Sequence, residues 1–209
     1  MTADRSGLAP LASYLSDRGI AVANATIRGA AADFRFPGPV QDVMCAVDAG
    51  VERIRRLGLT PAPVVVMGHS SGAHLSALAV LGAVGARGDC PHPVSRIDAA
   101  LLLSGIYDPA LAADVAQPLM GATPADDPAG WRSASALTWV ANRPDVPVFL
   151  AHGTGDQLVP VSFTTRFAMA LERAGHAVRV DSVADADHHE IYTPDSLGPD
   201  VVDWITTLA

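Results

Sequence analysis

Pro63-Val64-Val65-Val66-Met67-Gly68-His69-Ser70-Ser71-Gly72-Ala73-His74-Leu75 is the stretch that decides how this chain folds. An apolar run enters a serine flanked by glycines two residues away on each side, and Ala/Leu-rich sequence follows. That order predicts a strand, a sharp turn and a helix, the context in which Gly-x-Ser-x-Gly lifts a serine above the end of a sheet. A turn so tight leaves no room for side chains at Gly68 and Gly72. The helix behind it aims its unpaired N–H groups at any oxygen reacting near Ser70. Ser70 is therefore the candidate nucleophile. The plainer reading is a Gly-rich strand–helix connection.

The chain of 209 residues bounds what such a serine can belong to. The length fits one domain, 1–209, and 49 % hydrophobic residues suffice for a sizeable core. The net charge is −8, and all 14 basic residues are arginine. That balance argues against nucleic acid, whose phosphates would go unneutralised, and against adhesion to anionic membranes. Cys45 and Cys90 are distant in sequence and are expected as reduced thiols, neither of them a nucleophile. No histidine spacing suggests zinc. The first residues, Met1-Thr2-Ala3-Asp4-Arg5-Ser6, carry no apolar signal region, so a soluble cytoplasmic protein is expected.

Elsewhere strand and helix patterns alternate. Helices are expected over about 8–18, 39–57, 71–84, 160–174 and 196–208. Strands are expected at 20–27, 64–67, 99–104, 146–151 and 177–183. This predicts an α/β fold with a mostly parallel, doubly wound sheet of about five strands, both faces covered. Residues 109–142, Ala/Pro-rich and irregular, form the expected lid, with Leu111, Leu119, Met120, Trp131 and Trp139 shaping an apolar pocket or packing as core. In such sheets ligands collect at the carboxyl ends of the strands. Ser70, Asp156 and His188 all follow strand ends.

A serine hydroxyl needs a base within hydrogen-bond reach, and the base needs a carboxylate to fix its tautomer and stabilise its cation. The chain supplies them in the order Ser, Asp, His. Asp156, in His152-Gly153-Thr154-Gly155-Asp156-Gln157, is the expected acid, with Asp108 as rival and a simple turn or N-cap role as the plain reading. His188, in Ala186-Asp187-His188-His189-Glu190, is the expected base, with His189 as alternative. His152 is expected to buttress the acid loop. His69 and His74 read as local hydrogen-bonding residues, and His92 and His176 as surface loop positions. The backbone N–H of Ser71 is one expected oxyanion donor.

These three loops resemble those of the α/β-hydrolase superfamily. Within it they are most similar to kynurenine-formamidase-like and hormone-sensitive-lipase-like esterases. Asp4-Arg5-Ser6, Ala21-Val22-Ala23-Asn24 and Ser104-Gly105-Ile106-Tyr107-Asp108 extend the likeness over nearly the whole chain. The resemblance implies cofactor-free hydrolysis of a small-molecule ester with a short acyl chain or, alternatively, of an arylformamide. Thioester or lactone hydrolysis would use the same triad. One departure stands out. Members of the superfamily place a His-Gly-Gly motif after an early strand to complete the oxyanion hole, and this chain has none. Two expectations follow: a chain short at its N-terminus, or a sheet closed up so that 20–27 pairs directly with 64–67. With one donor the activity would be feeble, or the scaffold a non-catalytic binding protein. An exposed sheet edge would be hidden in a homodimer.

Overall fold

In the computed structural model, residues 5–29, 34–60, 63–85 and 87–208 are described. Four strands, β1 (Val65–His69), β2 (Ala99–Leu103), β3 (Val148–Gly153) and β4 (Val178–Val183), form one sheet in the order β1-β2-β3-β4. All pairings are parallel, with Val65 beside Ala99, Ala100 beside Val148 and Val148 beside Val178. β2 and β3 are buried along their whole length, as strands covered on both faces must be.

Alternation along β2 and β3 sorts the core into two layers. Ala100, Leu102, Val148 and Leu150 face α2 (Gly38–Arg56), α3 (Ser71–Val80) and α6 (Ser162–Ala174). Ala99, Leu101, Leu103, Phe149 and Ala151 face α1 (Ala9–Ser16) and α7 (Pro194–Thr207). This is the doubly wound architecture the sequence predicts. α3 is apolar on all sides because it is buried on all sides, from Ala73 through Val80. Residues 109–142 contain α4 (Ala113–Met120), α5 (Pro128–Ala134) and short 3-10 turns. No helix among the described residues is long and apolar enough to cross a membrane.

Three expectations are corrected. First, residues 20–27 form no strand, so the sheet has four strands among the described residues and not about five. Ile27 and Ile20 pack against opposite core layers, yet Val22 is 39 % exposed and the outer edge of β1 pairs with no described strand. An apolar run reports a tendency to be buried; a strand also needs a neighbour offering a ladder. The direct pairing of 20–27 with β1 therefore does not occur. Second, His176 is buried, its ring held between the carbonyl oxygens of Val146 (2.9 Å) and Val140 (2.8 Å).

Third, Cys45 and Cys90 form a disulfide. Sequence distance concealed it because the bond joins α2 to the loop that leaves α3. One stripe of α2 binds that whole loop. Asp48, fully buried, accepts from Ser95 N (2.7 Å) and from Arg87 Nη1 (2.9 Å), and one turn on Glu52 pairs with His92. The cytoplasmic expectation thereby loses the support it drew from reduced thiols. Closing a loop across 45 residues restricts the unfolded chain. Reduction, or replacing both cysteines by serine, is expected to lower the urea-unfolding free energy by ~2–4 kcal/mol. Unchanged stability would show that α2 and its loop are held by the polar contacts alone.

Candidate active site

β1 ends at His69 and α3 begins at Ser71, so Ser70 alone makes the turn. Its backbone sits at φ 54°, ψ −121°, a combination costly for any residue with a side chain. Ser70 N is tied to the carbonyl of Leu103 at the end of β2 (2.8 Å), and His74 N to the carbonyl of Ser70 (3.2 Å). A Cβ at Gly68 would stand 2.3 Å from the carbonyl oxygen of Gly72, so only glycine fits there. Gly72 is different: a Cβ there meets nothing within 4 Å. Steric exclusion of a side chain, expected at both glycines, operates at Gly68 and not at Gly72.

The acid and base loops are sewn together before either side chain matters. Gly155 N donates to the carbonyl of Ala186 (3.0 Å), Thr154 N to the carbonyl of Val183 (2.9 Å), and Asp185 N to Thr154 Oγ1 (2.8 Å). The strands of two loops this close exclude side chains. A Cβ at Gly153 would lie 2.1 Å from the Ala186 oxygen, and one at Gly155 2.8 Å from that of Asp185.

On this seam Asp156 is almost wholly buried, at 1 % side-chain exposure. Its Oδ1 accepts from the N–H groups of Leu158 (2.9 Å) and Val159 (2.8 Å), and its Oδ2 from His188 Nδ1 (2.7 Å). Burial alone would raise the Asp156 pKa. The bonds from Val159, His188 and Leu158 outweigh it, and the carboxyl is held below its ordinary value. A carboxylate is acceptor-only, so the proton of the His188 link sits on Nδ1 and leaves Nε2 free to act as a base. His152 buttresses this arrangement. Its Nε2 donates to the carbonyl of Val159 (2.9 Å) and approaches Asp156 Oδ2 at 3.3 Å, so its Nδ1 accepts from Thr164 Oγ1 (2.7 Å). Burial lowers its pKa, keeping it neutral beside the acid.

His188 is brought to Asp156; His189 is not, being exposed with Nδ1 3.3 Å from Tyr192 Oη. Asp108 is not brought to either. It starts the 3-10 turn at Pro109–Ala112, and its charge acts on His74. The Ser70 hydroxyl makes no hydrogen bond among the described residues, so the serine–histidine link is open in the free protein. Catalytic contacts commonly tighten only when substrate is bound. His74 Nε2 donates to the carbonyl of Ala134 (2.7 Å), which fastens the end of α5 to the helix behind the serine.

His69 does more than the local bonding expected of it. Its ring lies 4.5 Å from that of His188 and 4.7 Å from that of Tyr192, and its buried Nε2 has no partner. Burial is the main cause that pulls its pKa down to about 4. The signal in the sequence was its place: residues adjoining a strand-end serine share the space into which the base must swing. No group of three or more His, Cys, Asp or Glu among the described residues could hold a metal ion.

A sequence model of the BD-FAE family matches residues 2–171. The chain belongs to the BD-FAE family. The α/β-hydrolase resemblance of its motifs is thereby borne out at family level. Over 164 residues this BD-FAE chain is 28 % identical to Esterase LipQ of Mycobacterium tuberculosis (strain ATCC 25618 / H37Rv), covering 74 % of the chain and 39 % of LipQ. It spans about two-fifths of that relative's length. Its fold is similar to that of a truncated carbohydrate esterase from gut microbiota, with a TM-score of 0.73 at 21 % identity over 88 % of this chain and 73 % of that one. It is similar also to an acetyl ester-xyloside bifunctional hydrolase from Caldicellulosiruptor lactoaceticus, with a TM-score of 0.67 at 24 % identity over 84 % and 67 % of the two chains.

The glycine contrast gives one expectation. Gly68→Ala drives a methyl into backbone and yields insoluble or grossly destabilised protein, whereas Gly72→Ala keeps the wild-type circular dichroism and melting temperature within a few degrees. Equal tolerance at both would mean that the elbow is looser than described. The histidines give another. Between about pH 6.5 and 4 the unfolded chain binds a proton at residue 69 that the folded chain refuses. Stability is full above that window and falls as pH drops through it. His152 and His74 add in the same direction, and Asp156 does so lower, as its carboxylate is protonated. Urea unfolding at pH 7.5, 5.5 and 4.5 is expected to show a steady decline, smaller in His69→Gln; a flat profile contradicts the burial of these rings.

Proposed function

We propose that the chain is a serine hydrolase for carboxylic esters with short acyl groups. Ser70 is the nucleophile, His188 the general base and acid, Asp156 the orienting carboxylate and Ser71 N–H an oxyanion donor. The observation that carries this reading is the Asp156–His188 contact of 2.7 Å, built on a loop seam at the same sheet end as the strained Ser70. BD-FAE membership and the likeness to LipQ support the ester as substrate class.

The steps follow from the geometry. Substrate closes the gap between Ser70 Oγ and His188 Nε2. The hydroxyl proton passes to Nε2 as Oγ bonds to the acyl carbon, and Asp156 stabilises the imidazolium through Nδ1–H. The carbonyl oxygen, now an oxyanion, meets the N–H of Ser71 at the positive end of α3. The tetrahedral species collapses, and the alcohol leaves with the proton from Nε2. Water then attacks the acyl-enzyme with His188 again as base, and releases the acid and Ser70. Each oxyanion donor is worth on the order of 10²–10³ in rate. The lid of residues 109–142, pinned by His74 to α3, walls the alcohol or acyl side.

Turnover of p-nitrophenyl acetate and labelling by a fluorophosphonate probe test this reading. Ser70→Ala is expected to lose labelling altogether and turnover by at least ~10⁴-fold. Asp156→Asn is expected to lower kcat on the order of 10³–10⁴-fold with little change in KM, and Ser71→Ala to label normally. Folded wild-type protein that neither labels nor turns over would establish a binding scaffold instead. Faster hydrolysis of an arylformamide than of the acetate would move the substrate class from ester to amide.

A further inference from the structure

His188 is a buried side chain carried by an exposed loop. Its ring is bonded at one nitrogen and packed against His69, and the backbone that aims it lies in a segment whose neighbours Asp187, His189 and Glu190 are all exposed. Something must nevertheless fix that backbone, because an imidazole turned by a few tens of degrees about its own chain cannot reach both a buried carboxylate and a serine on another strand.

The four residues Asp187-His188-His189-Glu190 supply it among themselves. Asp187 Oδ1 accepts from His189 N (2.7 Å) and from Glu190 N (2.8 Å). Glu190 Oε2 in return accepts from Asp187 N (3.0 Å). Each carboxylate thus satisfies N–H groups belonging to the other's side of the turn. This is the reciprocal capping arrangement found at helix starts, here wrapped around a single turn closed by Ile191 N on the carbonyl of Asp187 (3.3 Å). The N–H groups it captures hold the Asp187 carboxyl below its ordinary value, so the cap is charged at neutral pH. Glu190 O then accepts from Thr193 N (3.0 Å) and Thr193 Oγ1 (2.9 Å), which joins the turn to the start of α7. On the other side Ala186, next to Asp187, is already fastened to the acid loop through Gly155 N.

We infer that Asp187 and Glu190 are positioning residues for hydrolysis: their reciprocal cap sets the backbone from which His188 bridges Asp156 and Ser70. The inference rests on the proposed role of His188. It deepens that role by naming what pre-organises the base. Both carboxylates are exposed, so water replaces their hydrogen bonds when they are removed and the fold loses little. What is lost is direction, which matters because a small misplacement of a catalytic group costs far more in rate than in stability.

The experiment compares Asp187→Ala, Asp187→Asn, Glu190→Ala and Glu190→Gln with the wild type. Two readouts are used: steady-state kinetics on p-nitrophenyl acetate, and the far-downfield NMR resonance of the hydrogen-bonded His188 Nδ1 proton. Asp187→Ala and Glu190→Ala are expected to lower kcat about 10–100-fold with KM within about twofold, at nearly wild-type melting temperature. The downfield proton should be broadened or lost in both. Asp187→Asn and Glu190→Gln keep the accepting oxygens and are expected to recover kcat to within a few-fold, with the proton resonance restored. Alanine variants that retain both the wild-type kcat and the resonance overturn the inference. So do asparagine and glutamine variants no better than alanine, since then the cap geometry is not what counts. The NMR signal does not depend on turnover. If the protein hydrolyses no ester but the resonance still vanishes on capping loss, the positioning of His188 stands and the proposed reaction is what fails.

Discussion

The contact between the loop after β3 and the loop after β4 is the constraint on which the rest of this site depends. Three backbone or near-backbone hydrogen bonds and two glycines without room for a Cβ bring the Asp156 and His188 segments together. The side-chain link between carboxylate and imidazole is a consequence of that approach. It would be unavailable if the chain leaving β3 carried a larger residue at 153 or 155. Because the seam uses main-chain atoms, its geometry is indifferent to the charge state of the groups it presents. Asp156 can therefore be buried and ionised together, with two N–H donors meeting one oxygen while His188 meets the other.

Electrostatics then sort the histidines clustered at this end of the sheet. Four of the rings, His69, His74, His152 and His188, are buried or half-buried. Burial keeps His69, His74 and His152 neutral. Of these four, only His188 has a carboxylate on Nδ1, at 2.7 Å, with its other nitrogen unbonded among the described residues. A single cation formed during reaction thus has one natural seat, and the adjacent rings offer packing without competing for the proton.

Much of this was legible in residues. Strand-end placement and chain order pointed to Ser70, Asp156 and His188 at one end of the sheet, because a doubly wound sheet delivers its loops to one side whatever the details, and Asp156 and His188 are in contact there. Helices over 39–57 and 160–174 were readable from apolar spacing, and they appear at Gly38–Arg56 and Ser162–Ala174. What was not legible depends on partners. Residues 20–27 look like a strand because they are apolar, but strand formation is a pairing event and the outer side of β1 offers them none among the described residues. The Cys45–Cys90 bond joins elements adjacent only after α2 packs beside α3. His176 looked like loop surface, since nothing local reveals that two carbonyls from elsewhere converge on its ring. Gly72 misled in the opposite direction: a motif glycine was assigned a steric duty that the turn places on Gly68 alone.

The strictly sequential order β1-β2-β3-β4 has a kinetic meaning. Every ladder in this sheet joins strands separated by a full crossover, as Val65 with Ala99 and Ala100 with Val148 show. No hairpin among the described residues nucleates the sheet, and such topologies are slow to assemble because loop entropy is spent before contacts repay it. Hydroxyl, carboxylate and imidazole follow three different strands, β1, β3 and β4. The three side chains therefore meet only after the strands that carry them have paired, and the site is among the last features of the fold to form.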